Sequence, residues 1–302
     1  MVRLKTRRNP FGKRITLTLA GGLLSALAIV PAPAAPSGPI EVDVKLVLAT
    51  DVSKSISDEE AAIERAGTSD VFLDPEVVKA IQSGPRGRIA VAMLDWSTTR
   101  MDRVVLDWTI VSDKASAAAL AAKIRNIPRT PGERTSISGA LQRSMLMLDS
   151  SDGVIKADKK VIDVSGDGPN NDGISLQHVH DTTKNNGINV NGLPVMDENS
   201  DGYYEDLDKY YAACVVAGKG AFLVVVKSYR DFGTAMRRKL VIEISQNETQ
   251  IKEALGLPTG NALLIKTAAG TPVPAPPSLP QRPEPTYPGG CDKYGGYGVN
   301  GG

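Results

Sequence analysis

Within residues 41–269, short runs of consecutive apolar and β-branched residues alternate with longer segments of helical period. The runs fall at 44–49, 88–96, 104–110, 160–164, 188–190 and 221–226. A strand that is apolar at successive positions is covered on both faces, which predicts a mostly parallel sheet between two helical layers. The helices carry their own signals. Ser57-Asp58-Glu59-Glu60 is a capping box immediately after the first run. Residues 113–126 are Ala-rich, and Phe232, Ala235, Met236, Leu240 and Ile244 share one face of a later helix. No helical pattern separates the second and third runs, so these predict a hairpin. The fold class expected is α/β: a doubly wound, Rossmann-like, mostly parallel sheet with one antiparallel edge strand.

The two ends of the chain break this pattern. The first fourteen residues hold Arg3, Lys5, Arg7, Arg8, Lys13 and Arg14 with no acid, followed by an apolar run at 15–30 and by Ala32-Pro33-Ala34. Basic, apolar and small-residue parts in that order read as a secretory signal peptide over 1–35 and predict an exported protein, periplasmic or secreted. The alternative is an uncleaved anchor, for which sixteen residues including Gly21 and Gly22 make a short span. No stable membrane span is expected after leader cleavage. At the other end, residues 270–302 are Pro- and Gly-rich without hydrophobic period and read as a disordered or extended tail. The globular domain expected is 41–269.

Composition narrows the function. The 302 residues hold 35 Lys+Arg against 34 Asp+Glu, and removing the leader's six basic residues leaves a mature chain of about −5. Nucleic acid is therefore not an expected partner. Two cysteines and two histidines, with neither CxxC nor HExxH, exclude a Cys/His zinc module. In an oxidising compartment Cys214 and Cys291 either pair or leave Cys214 as a small buried residue.

Ligands of doubly wound sheets bind at the carboxyl ends of the strands. The first run ends in Asp51-Val52-Ser53-Lys54-Ser55, and the fourth in Ser165-Gly166-Asp167-Gly168-Pro169-Asn170-Asn171. Between them, Thr135-Ser136-Ile137 opens a helix after a Pro/Gly loop. Asp51, Ser53, Ser55, Thr135 and Asp167 supply carboxylate and hydroxyl oxygens only, the donor set of Mg²⁺, Mn²⁺ or Ca²⁺. Asp167 reaches the ion either directly or through a water. One or two carboxylates leave a divalent ion at zero to plus one, so an acidic ligand is still attracted.

The D-x-S-x-S, T-x-I-x-x-A-L and G-D-G segments resemble the metal-ion-dependent adhesion site of von Willebrand factor A domains. The segments VIDVSGDGPNN, NGLPV and GAFLVVVKSYRDFGTAMRRKLVIEI are similar to an exported bacterial family of unknown function assigned to that fold. The resemblance implies that the five residues bind Mg²⁺, Mn²⁺ or Ca²⁺ and that an open coordination position accepts an Asp or Glu of a protein or peptide partner. Lys54 stands where these domains often have Gly, and its ammonium is expected to face solvent.

A second oxygen-rich loop, with Asp197, Asn199, Asp201, Tyr203 and Asp208, fits the spacing of an EF-hand-like calcium loop, with Asp208 in place of the usual Glu. It suggests a second Ca²⁺ of structural kind. An enzyme is not expected. His178 and His180 do not share a helical face and read as exposed, and nucleophile elbow, P-loop and dinucleotide fingerprint are all missing from the sequence. The readings that compete with docking are a calcium-stabilised structural envelope protein and a metal-assisted phosphoesterase built on Asp51 and Asp167.

Overall fold

The computed structural model describes residues 38–245 and 286–293. Five strands form one sheet in the order β3-β2-β1-β4-β5: β1 (Ile40–Asp51), β2 (Ile89–Trp96), β3 (Asp102–Val111), β4 (Ile155–Gly166) and β5 (Asn189–Pro194). All neighbours are parallel except β2 and β3, whose antiparallel pairing puts β3 at the edge. The mostly parallel, doubly wound sheet with one antiparallel edge strand is thus as the sequence led us to expect.

β1 is central and buried along nearly all its length. Its side chains alternate between two cores. Val44, Leu46 and Leu48 meet α1 (Asp58–Asp70), α2 (Pro75–Gln82), α3 (Lys114–Arg125) and α7 (Phe232–Ile244). Val47 and Ala49 meet α4 (Ile137–Ser150), α5 (Leu176–Asn185) and the segment beginning with the short α6 (Leu207–Tyr210). This period-two division is why an unbroken apolar run is needed.

The helix signals operate as read. Ser57 Oγ accepts from Glu60 N at 3.3 Å while Glu60 Oε2 accepts from Ser57 N at 2.8 Å, closing the capping box at α1. Phe232, Ala235, Met236, Leu240 and Ile244 are all buried along α7.

The sixth run, 221–226, is not a full strand. It meets β5 only at the bridges Gly192 to Leu223 and Val195 to Val226. Pro194 explains the gap. Val224 N donates to Gly192 O and Val226 N to Pro194 O, but Pro194 has no N–H to return between them.

Cys214 and Cys291 are paired, with Cα atoms 5.4 Å apart across 77 residues of sequence. The Pro/Gly-rich tail expected beyond 269 therefore needs correcting over 286–293. Tyr210 Oη donates to Cys291 O at 2.9 Å, and the Tyr287 ring stands edge-on to Tyr210 with centroids 5.2 Å apart. Asp292 caps α5, taking Ser175 Oγ at 2.6 Å and Leu176 N at 2.7 Å. Composition reports the scarcity of apolar residues in this segment and is blind to one disulfide and one cap. The signal-peptide reading at 1–35 lies outside the described residues, as does the rest of the tail. Among the described residues no helix is long and apolar enough to cross a membrane.

Candidate metal centre

β1 and β4 are adjacent, and the chain leaves β1 for β2 on one side and β4 for β5 on the other. Their carboxyl ends therefore mark the topological switch point of the sheet, where such folds bind ligands. Asp51 closes β1 and Asp167 follows β4 directly.

The first loop folds on its own aspartate. Asp51 Oδ1 accepts from Ser53 N at 2.7 Å, a turn that Asp makes readily two residues on. Ser55 Oγ donates to Asp167 Oδ1 at 2.9 Å and lies 3.0 Å from Ser53 Oγ. Ser55 has only one proton to give, so Ser53 is the donor between the two serines. Four of the five expected residues are thus joined in one chain of oxygens running from Asp51 to Asp167.

Thr135 arrives through its backbone. Gly132 N donates to Val52 O at 2.9 Å, which draws the 132–135 loop against the first. Thr135 N donates to Asn171 Oδ1 and Asn171 N to Thr135 O, at 2.9 and 2.8 Å. Thr135 Oγ1 faces Gly168, where a Cβ would stand 3.8 Å away. Ser138 N donates to Asn170 Oδ1, and Thr99 N to Asp172 Oδ2. The Asn170-Asn171-Asp172 run is accordingly a clasp between the loops, a role its polar composition did not disclose. Lys54 points outward, with a side chain 70% exposed and paired to Glu133 at 3.1 Å.

Electrostatically, neither carboxylate is paired with a cation among the described residues, and the nearby Arg129 guanidinium donates to Ser53 O at 3.2 Å instead. Asp51 and Asp167 are each 1% exposed, and Asp51 Oδ2 and Asp167 Oδ2 have no hydrogen-bond partner among the described residues. Burial, then repulsion from Asp167, raises the Asp51 carboxyl well above the ordinary range, against the pull of the Ser53 hydrogen bonds. Burial raises Asp167 to about 6, opposed by its bond from Ser55. Below them, burial raises Glu64 to about 7 although Ser165 Oγ donates to it at 2.7 Å. Two buried carboxylates with orphaned oxygens, plus three hydroxyls, fit a hard divalent cation.

The second loop does something different. Among the described residues no three His, Cys, Asp or Glu side chains gather to hold a metal, and this includes Asp197, Asp201 and Asp208. Asp197 is spent on the protein: Asn199 N and Nδ2 donate to Oδ1, and Ser228 Oγ and Tyr229 N to Oδ2, at 3.0 to 3.1 Å. These bonds hold its carboxyl below the usual range against burial, the largest effect. The loop instead covers the first site, because Gly202 packs so closely on Asp167 that a Cβ would collide with Oδ2.

The histidines also divide. His178 is exposed, but His180, expected exposed, is buried, with Nε2 3.1 Å from Val216 O and Nδ1 3.2 Å from Asp181 Oδ1.

A family model described as "Protein of unknown function (DUF1194)" matches residues 41–248. No curated protein matches in sequence. Among solved structures, proximal thread matrix protein 1 from the mussel byssus is 16% identical, with a TM-score of 0.50 over 68% of this chain and 47% of that one. A form of that protein described with a zinc-occupied MIDAS motif is also 16% identical at TM-score 0.50, covering 67% and 46%. A von Willebrand factor type A structure from Catenulispora acidiphila is 14% identical at TM-score 0.46, covering 70% and 43%. The chain spans about half the length of the mussel protein's structures, and at such identities the likeness is one of fold.

Proposed function

We propose, from the premise that the chain belongs to the DUF1194 family of proteins of unknown function, that it is an exported, divalent-cation-dependent binding protein that docks an acidic residue of a protein or peptide partner. The observation that carries this is the pair of buried, unpartnered oxygens on Asp51 and Asp167, with the Ser53 and Ser55 hydroxyls linked to Asp167 and Thr135 held on the neighbouring loop by Asn171. A bound Mg²⁺, Mn²⁺ or Ca²⁺ supplies a positive centre with an open position for a carboxylate.

The chain's own residues prepare that position. The Ser53 backbone aims Asp51, Ser55 holds Asp167, and the Asn171 clasp holds Thr135 beside them. On the Thr135 side a cleft of about 530 Å³ is lined by Arg100 and Arg134 and, balancing them, by Glu133 and Asp172. On the other side, the Gly202 turn packs over Asp167.

Binding is favoured over catalysis because both ring nitrogens of His180 are engaged within the fold and His178 lies out on α5. The calcium-stabilised structural reading is disfavoured by the four protein donors on Asp197. The test is calorimetry of Mg²⁺, Mn²⁺ and Ca²⁺, followed by titration of a peptide with one Glu against its Gln counterpart, with and without chelator. Binding of the Glu peptide only in the presence of cation supports the reading. Equal binding of both peptides, or no saturable cation binding, sinks it.

A further inference from the structure

Two tyrosines stand behind the carboxylates, and the rim motif did not include them. Tyr211 is 0% exposed and Tyr229 2%, yet neither hydroxyl has a hydrogen-bond partner among the described residues. With Asp51 Oδ2 and Asp167 Oδ2 they make four buried orphan oxygens in one region of the molecule. A single such group is costly to leave unpaired, and native interiors hold few of them. Four together mark a space shaped around something polar.

The geometry brings them to one place. Gly166, at the end of β4, has no side chain, and a Cβ there would stand 2.9 Å from Tyr211 Oη and 3.0 Å from Asp51 Oδ2. Those two oxygens are therefore within about 6 Å of each other, a gap that one water spans. Tyr229 enters from the α1 side, its backbone N held by Asp197 Oδ2 at 3.1 Å. The loop that holds it, starting at Asp197, packs on Asp167 through Gly202. A phenol hydroxyl carries a proton to donate.

We propose that the Tyr211 and Tyr229 hydroxyls form the inner wall of the cation site, hydrogen-bonding Asp51 Oδ2 and Asp167 Oδ2 directly or through one water and so fixing the aim of both carboxylates. This rests on the reading of Asp51 and Asp167 as the cation site. Tyr211 opens a π-helical turn, Tyr211–Val215, of a kind that recurs at functional sites. Tyr229 opens the 3-10 turn Tyr229–Asp231 ahead of α7. The inner wall is thus supplied by the chain after β5 and the rim by the chain before it. The two rings also close the floor to bulk water, which strengthens attraction between the carboxylates and an ion.

The test is calorimetry with Mg²⁺ and Mn²⁺ on the wild type, Tyr211→Phe, Tyr229→Phe and, as control, Tyr287→Phe in the disulfide-held segment. It is paired with tyrosine ultraviolet difference spectra and cation-free melting. The expected result is ~10–100-fold weaker binding in the two buried variants, as for other groups that orient metal ligands. The control is unchanged, the wild type shows a cation-induced tyrosine signal that each buried variant diminishes, and cation-free midpoints do not fall. Unchanged affinity in the buried variants, or weakened affinity with a matching loss of cation-free stability, overturns the inference and leaves the cation site standing. A wild type that binds no cation overturns both.

Discussion

Gly202 lies against Asp167 with no room for a Cβ between them, so the loop after β5 rests its backbone on a buried carboxylate. An added methyl must displace the loop or the carboxylate. Gly202→Ala is therefore expected to destabilise by about 1–3 kcal/mol, as overpacked sites do. The measurement is the thermal midpoint, together with faster proteolysis or hydrogen exchange across 197–206.

Asp51→Asn keeps an acceptor for Ser53 N and removes one of two repelling buried charges. Calorimetry is expected to show cation binding lost by 100-fold or more, while the cation-free midpoint at pH 7 is level with or above wild type. A large fall in that midpoint would make Asp51 a structural residue instead.

Asp197→Ala has the opposite signature. It strips acceptors from Asn199, Ser228 and Tyr229, with an expected cost of about 1–3 kcal/mol in urea denaturation. Calcium stoichiometry is expected to stay as in the wild type.

A buried triad on the α7 side of the sheet sets a pH dependence. Lys239 contacts Asp163 and donates to Glu243 Oε2 at 2.8 Å, so two carboxyls share one cation. Burial, then the Glu243 charge, raises Asp163 to about 8. Unfolded, an aspartate titrates near 4, so between about pH 4 and 8 the folded state holds a proton that the unfolded state has lost. This contribution is full below the unfolded value and disappears as pH rises through the folded one. With chelator present, urea midpoints are expected to fall from pH 5 to 8.5, and Asp163→Asn to flatten that slope.

Cys291→Ser, or reduction of the wild type, releases residues 286–293 and with them the Asp292 cap on α5. Calorimetric melting is expected to show a loss of about 2–5 kcal/mol.

The mostly parallel sheet and its antiparallel edge strand were legible because they are written in local pattern. Continuous apolar runs marked covered strands, and D-x-S-x-S placed three oxygens on one turn, which the structure joins to Asp167 through Ser55. What escaped depends on contacts distant in sequence. Tyr211 and Tyr229 lie 44 and 62 residues beyond Asp167 and read as ordinary core aromatics. Asp197 bears the spacing of a ligand but is claimed by Ser228 and Tyr229, roughly thirty residues away. The 221–226 run has strand composition, and the residue that interrupts its pairing, Pro194, belongs to its neighbour.

The disulfide also decides where a mechanical load would enter the molecule. Tension applied to the chain beyond residue 293 passes through Cys291 into Cys214 and bypasses the covalent loop between them, α7 included. Cys214 lies in the same π-helical turn as Tyr211, whose hydroxyl borders Asp51 across Gly166. Pulling on that end therefore loads the turn that borders Asp51, with α7 outside the path of the load.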